Sequence, residues 1–447
     1  MAQGQLKRVL GRGFGVAATI GTIIGLGILR TPGEIARTIQ DPWLYMALWA
    51  GGGVFILLST LVVAELISQT EKPGGPYALV ANAFGPYPGF LLGWTDWLAN
   101  CASSALKAVV LLEYAALLLP ELRPYVVPGA MAVNSGFALL QLGGVRLSGR
   151  IFQAAAVVFC LILLSVSASL LFGDAATVKP AAEASNIIRT APTWAHYGIV
   201  AAAIVYTYDG WVGASYYSAE VAGGARSAAL GSIRGVLIVI GLYLLLNGLL
   251  VANVPLAALD GHELALAGAL DYLFGEGAGS FIIIAALVIL LAHQNFLYMS
   301  CPRILYALSA DGLGSRRATA VSDRGTPTGA LLLSWGLMTL LIVAGGFEFL
   351  LNMAALLFMV GYVAMVLGVF RMRRRQTIVE RPTVDRVGEK PPFRAPGFPL
   401  TGVICAIGWV AIAAFVGLMD LKSSAWSLGL AEISVPVFLW LKRRRGL

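Results

Sequence analysis

The sequence predicts an all-α polytopic membrane protein of twelve transmembrane helices, arranged as a five-plus-five inverted repeat with broken helices 1 and 6. Three observations carry this. First, 58% of the residues are hydrophobic and 12% charged, with a mean hydropathy of +0.81, whereas soluble domains carry roughly 25% charged residues. Second, many apolar runs reach the roughly 20 residues needed to cross about 30 Å of hydrocarbon. Third, glycine-broken stretches sit at matching places, Ile20-Gly21-Thr22-Ile23-Ile24-Gly25-Leu26-Gly27-Ile28-Leu29 and Tyr206-Thr207-Tyr208-Asp209-Gly210-Trp211-Val212-Gly213. A bilayer tolerates unwound backbone only where it is buried in protein or lines a cavity.

The elements follow in order. Residues 1–13 form a cytoplasmic N-terminus, and the runs 14–37, 43–69, 86–119, 125–142 and 151–173 make the first five-helix repeat, 14–173. A polar connector, 174–192, carries Pro180 and Pro192. The runs 193–218, 230–254, 278–309, 328–346 and 349–371 make the second repeat, 193–371. Residues 372–399 are basic and proline-rich, so little secondary structure is expected there. A terminal helix pair, 400–420 and 424–441, precedes a cytoplasmic tail, 442–447. The runs 86–119 and 278–309 are long enough to tilt or to continue past the membrane. Five is odd, so the two halves start on opposite sides and are inverted by construction. That is the geometry of alternating access around a mid-membrane site.

Charge placement sets the orientation. With the N-terminus in the cytoplasm, 24 of the 31 Lys and Arg fall on the inner side, among them Lys7, Arg8, Arg146, Arg226, Arg316 and the Arg371–Arg375 run. Arg30, Arg37, Arg123, Lys179, Arg189 and Lys422 fall outside, and Lys107 lies within a span. This positive-inside bias predicts a multi-pass protein of the cell inner (plasma) membrane, both termini cytoplasmic. The segment 255–277, with Asp260, Glu263, Asp271 and Glu276 and no Lys or Arg, reads as an outer loop. The net charge of +8 is thereby explained by membrane lipid rather than nucleic acid. The first span is too long for a cleaved signal peptide. The four cysteines, Cys101, Cys160, Cys301 and Cys405, lie in apolar spans without metal spacing. No phosphate loop, zinc signature or nucleotide fingerprint is present, so no cofactor or metal is expected and energy must come from gradients.

Several motifs carry a resemblance. Gly21 to Leu29 resembles a first-helix Gly-Ser-Gly-Ile-Phe pattern. Pro73-Gly74-Gly75-Pro76-Tyr77, with Phe84-Gly85 and Gly93-Trp94, resembles a segment leading into a third helix. Gly144 to Arg150 resembles a turn into a fifth, Tyr208-Asp209-Gly210-Trp211 through Glu220 a sixth, Arg303 to Asp311-Gly312 the end of an eighth, and Pro391 to Pro399 an inner loop before an eleventh. In this order and spacing they resemble the amino acid–polyamine–organocation (APC) superfamily, in particular its L-type amino acid transporter-like branch. The resemblance implies twelve helices in an inverted repeat and transport of free amino acids, by exchange (antiport) or proton-coupled uptake (symport). Two positions depart from it. Leu26 and Leu29 stand where the family has Ser and Phe, and Phe159 stands where the branch often has a lysine thought to mimic a bound cation.

The candidate site follows from the breaks. Amides near Gly25, Leu26 and Gly27 would face a substrate carboxylate, favoured by the N-terminal end of the outer half-helix. Carbonyls near Ile23, Tyr206 and Asp209 would accept from an ammonium, with Tyr206 where the family has an aromatic gate. The bland alternatives are small-residue packing for the glycines and an ordinary buried aromatic for Tyr206. Trp211 reads as a support beneath the break. Lys107, amid apolar neighbours, is costly and so a functional candidate; Asp209 is its most attractive partner, in a structural pair, a coupling site or a substrate-selecting charge. Glu65, Asp96 and Glu220 read as inner-gate ion-pair members, with Arg303, Arg150 and Arg234 as partners. His293, Gln294 and Asn295 form a polar step in the eighth span. Asn295 or His293 would face the pocket, and His293 is a second coupling candidate.

The expected function is a secondary amino-acid transporter. Small apolar substrates fit Leu26, Val212 and Gly213, while Lys107 leaves anionic ones open. A polyamine or organic-cation carrier would want a carboxylate-rich pocket, and only Asp209 is clear. An enzyme would need paired catalytic groups, which the sequence lacks. A non-transporting sensor or partner subunit with this fold is the remaining alternative, and the sequence leaves oligomeric state open.

Overall fold

The computed structural model describes residues 10–70, 72–172, 193–259, 264–344, 347–378 and 391–445. The expectations for residues 1–9, the 174–192 connector and most of 372–390 lie outside the described residues. Among those described there are sixteen α-helices and no sheet: α1 (Phe14–Ile23), α2 (Leu26–Thr38), α3 (Pro42–Ser68), α4 (Pro76–Phe84), α5 (Pro86–Leu118), α6 (Val126–Leu142), α7 (Val145–Phe172), α8 (Trp194–Thr207), α9 (Gly224–Asn253), α10 (Ala265–Phe274), α11 (Ser280–Ala310), α12 (Thr328–Ala344), α13 (Phe347–Ile378), α14 (Leu400–Met419), α15 (Leu421–Glu432) and α16 (Ser434–Arg445).

Among the described residues nine helices are long and apolar enough to cross a membrane, or ten when α1 and α2 count as one bent span. The two expected spans that fall short as single helices are the sixth and the ninth. The sixth ends at Thr207 because its backbone turns, and α12 has 17 residues. The segment 255–277, expected as a loop, contains α10. Of the loop expected at 372–399, residues 372–378 instead continue α13, while 391–399 holds no helix.

The first break has a local cause. Ile24 (φ −69°, ψ 95°) and Gly25 (φ −127°, ψ −165°) are extended, so α2 restarts at Leu26 bent 40° from α1. In the sixth segment, Gly210 has φ +99°, a left-handed conformation that costs any residue with a Cβ. Turns follow α8 until a short 3₁₀ helix, Gly213–Tyr217. The two breaks touch each other. A Cβ on Gly210 would lie 2.5 Å from Thr22 O, and one on Gly27 2.9 Å from Thr207 Oγ1. Around this centre α1 packs on α9 and α7, α2 on α8, and α5 on α11 and α13. The α5 and α11 spans are the most buried.

Gly210→Ala therefore meets both strain and a carbonyl that cannot retreat. It is expected to cost at least about 2 kcal/mol, read as a lower melting temperature in detergent. A variant that melts with the unsubstituted protein would refute the contact.

Candidate functional site

Unwound backbone in an apolar interior must find partners for its polar groups. Here a few side chains supply them. Tyr243 on α9 places its hydroxyl 3.1 Å from Ile23 O and 3.4 Å from Thr207 O, one carbonyl from each break. Thr22 Oγ1 lies 2.8 Å from Gly210 O of the second break and 2.6 Å from Ala18 O of its own helix, so its one proton is shared between the two carbonyls. His293 on α11 sets Nε2 3.1 Å from Thr22 O and Nδ1 3.1 Å from Ile289 O. Its ring lies nearly parallel to that of Phe159, centroids 6.4 Å apart.

Thr22 and His293 also line a cavity of about 330 Å³, bordered by α1, α2, α5, α8, α11, α13 and the turns after α8. Its mouth is edged by Arg30 and Glu34, an i,i+4 ion pair with side chains 47% and 40% exposed. Lys107 stands in the wall, Nζ 2.9 Å from Ser103 Oγ. Deeper, Asp209 accepts a hydrogen bond from Tyr362 on α13, and Asn100 and Tyr216 also line the cavity. Trp211 packs behind on Tyr362 and Trp409, centroids 5.0 and 6.1 Å away.

Of the residues singled out from sequence, Ile23, Gly25, Leu26, Gly27, Lys107, Tyr206, Asp209 and His293 all border the cavity. Asn295, Glu220 and Arg303 do not. Asn295 is two residues beyond His293, about 200° around the helix, and faces α6 and α7. Its Oδ1 accepts from Gln141 Nε2 at 3.0 Å and its Nδ2 donates to Ser148 O at 2.9 Å. Lys107 and Asp209 share the cavity, yet no ion pair within 4.0 Å joins them among the described contacts; Ser103 and Tyr362 hold them instead.

Glu220 and Arg303 lie outside the cavity lining, beside Leu10. Leu10 N donates to Glu220 O at 3.1 Å, and Ala222 N to Leu10 O at 2.7 Å. Arg303 grips Glu220 through Nε at 2.5 Å and Nη2 at 3.0 Å, both side chains 2% exposed, with its guanidinium 5.1 Å from the Tyr217 ring centre. Glu65 pairs with Arg373 on α13 rather than with the arginines expected, and its Oε2 also accepts from Ala395 N at 2.7 Å. Asp96 has no cation partner among the described contacts. Its Oδ1 accepts from Tyr216 and Asn100.

Thr22, Tyr243, Tyr216, Asn100 and Tyr362 were not singled out from sequence. The available signal was a hydroxyl or amide inside a long apolar span, which needs a partner. Which span supplies that partner is not written in the spacing.

Removing one member of a buried ion pair strands the other, at about 3–5 kcal/mol. Glu220→Gln and Arg303→Met should each lower the melting temperature markedly, and the double variant should recover part of the loss. Simple additivity of the two losses would count against the coupling.

The fold and the site define a multi-pass helical membrane protein with a cavity between two chain breaks. Residues 16–434 match the family described as amino acid permease, and the chain belongs to that family. It is 23% identical to the serine/threonine exchanger SteT of Bacillus subtilis, over 99% of this chain and 98% of that one. It is 25% identical to the human b(0,+)-type amino acid transporter 1, over 84% of this chain and 78% of that one. It is also 25% identical to the cystine/glutamate transporter of Pongo abelii, over 99% and 87% respectively.

Proposed function

We propose that this permease moves amino acids by alternating access, through twelve spans in an inverted repeat with both termini in the cytoplasm of a cell inner membrane. The two breaks, the cavity between them, membership of the amino acid permease family and relatives named as amino acid transporters or exchangers support this reading. On this reading the conformation is open outward. Arg30 and Glu34 edge the mouth, and Glu220–Arg303 with Glu65–Arg373 form the inner closure. Tyr206, 41% exposed and lining the cavity, is the outer aromatic gate.

The observation that carries the substrate site is Gly25. Its extended backbone is open to any residue, and an added Cβ would come no closer than 3.4 Å to His293. Packing therefore does not demand a glycine, in contrast to Gly27. Gly25 nonetheless borders the cavity at the N-terminus of α2. There the first-turn amides and the positive end of the helix suit a carboxylate. The ammonium end of the substrate lies on the Asp209 side. Lys107, held by Ser103 within the same cavity, opposes the binding of polyamines.

The test is a thermal-shift screen of the purified protein against amino acids and polyamines, because a ligand of the folded state stabilises it by mass action. At 100 times Kd the gain is about 2.7 kcal/mol. Gly25→Val should melt close to the unsubstituted protein yet lose the substrate-induced shift. A folded Gly25→Val protein that binds normally would defeat the backbone site.

The gate has its own test. Tyr206→Ala should slow counterflow in proteoliposomes or widen the range of substrates accepted, whereas Tyr206→Phe should change little. An alanine variant indistinguishable from the unsubstituted protein with several substrates would remove the gate.

A further inference from the structure

We infer that Asp96 is a proton-binding site, protonated in this conformation and linked to the substrate cavity through Tyr216 and Asn100.

The case rests on how differently three buried carboxylates outside the cavity lining are satisfied. Glu220 is held by Arg303, and Glu65 by Arg373. Asp96, 5% exposed on α5, has no such cation. Its Oδ1 accepts from the Tyr216 hydroxyl at 2.8 Å and from Asn100 Nδ2 at 2.9 Å. Its Oδ2 is fully enclosed and has no protein hydrogen-bond partner.

The groups facing it from neighbouring elements do not compensate. Tyr216 and Asp209 come from the broken sixth segment, Cys301 from α11 and Tyr362 from α13. Each is neutral or acidic. Lys107 is on the same helix eleven residues away, about 16 Å along the axis. An ionised carboxylate buried with one bare oxygen and no cation is costly. Binding a proton removes the charge and leaves the two hydrogen bonds to Oδ1 in place.

The placement connects this proton to transport, and to that extent the inference rests on the reading above. Asp96 does not border the cavity, but its two partners do. Asn100 Nδ2 also reaches the Tyr216 hydroxyl, at 3.4 Å, closing a three-residue cluster beneath the cavity floor. Tyr216 belongs to the 3₁₀ segment after the second break, whereas Asp96 and Asn100 belong to α5. Displacement of that segment from α5 would break the Tyr216 bond and admit water to the carboxyl. The proton then leaves as the carboxyl ionises, on the side where the chain begins, with no redox partner required.

Two measurements on the full chain separate this inference from the transport reading. By difference infrared spectroscopy at neutral pH, the purified protein should show the carbonyl stretch of a protonated carboxyl that Asp96→Asn removes. Identical spectra would overturn the inference whether or not the protein transports. In sodium-free proteoliposomes, an acid-outside gradient should raise amino-acid uptake several-fold. Asp96→Asn should abolish that stimulation while keeping the substrate-induced thermal shift, and Asp96→Glu should restore part of it. Unaltered stimulation in a folded Asp96→Asn protein, or uptake driven by sodium and not by protons, would overturn it. Absence of binding and uptake of every amino acid by the unsubstituted protein would instead defeat the transport reading, with the infrared result still deciding the state of Asp96.

Discussion

Backbone released from a helix in an apolar interior must be bonded again, because no bulk solvent is there to do it. In this protein the two breaks bond to each other. Thr22 reaches Gly210, and the Tyr243 hydroxyl spans carbonyls from both. His293 adds a third tether from α11 to Thr22. The interruption in one segment is therefore tolerable because the other lies against it, with Gly27 and Gly210 permitting the approach. The cavity is the space left beside this contact.

The ion pairs at the cavity mouth and away from it differ. At the mouth, the Arg30–Glu34 pair is exposed and lies within one helix, so it contributes little to stability. Away from the cavity lining, Glu220–Arg303 and Glu65–Arg373 bridge separate elements, with both carboxylates 1–2% exposed. Buried pairs weigh desolvation against attraction, so their net stabilisation is small while their disruption is costly.

Opposite charges occupy one cavity without direct pairing. Ser103 anchors the Lys107 ammonium, and Tyr362 bonds the Asp209 carboxyl. Both charges therefore stay within one space of about 330 Å³, each on a neutral partner. The aromatic stack of Trp211, Tyr362 and Trp409 supports that floor from α13 and α14.

Composition and periodicity were enough for the helical membrane class, because crossing hydrocarbon demands long apolar runs. The paired glycines were enough to locate both breaks and, through them, six of the cavity residues, because few other features explain unwound backbone at that depth; Lys107 and His293 were legible instead as polar groups inside apolar spans. The same local signals could not say which way a helix faces. Asn295 and His293 are two positions apart, yet one binds α6 and α7 while the other meets the first break. Nor could they say that Glu65 would meet Arg373, 308 positions away, or that the Tyr243 hydroxyl would lie between carbonyls of both breaks. Those partnerships depend on the rotation and neighbours of whole helices, which packing sets across hundreds of residues.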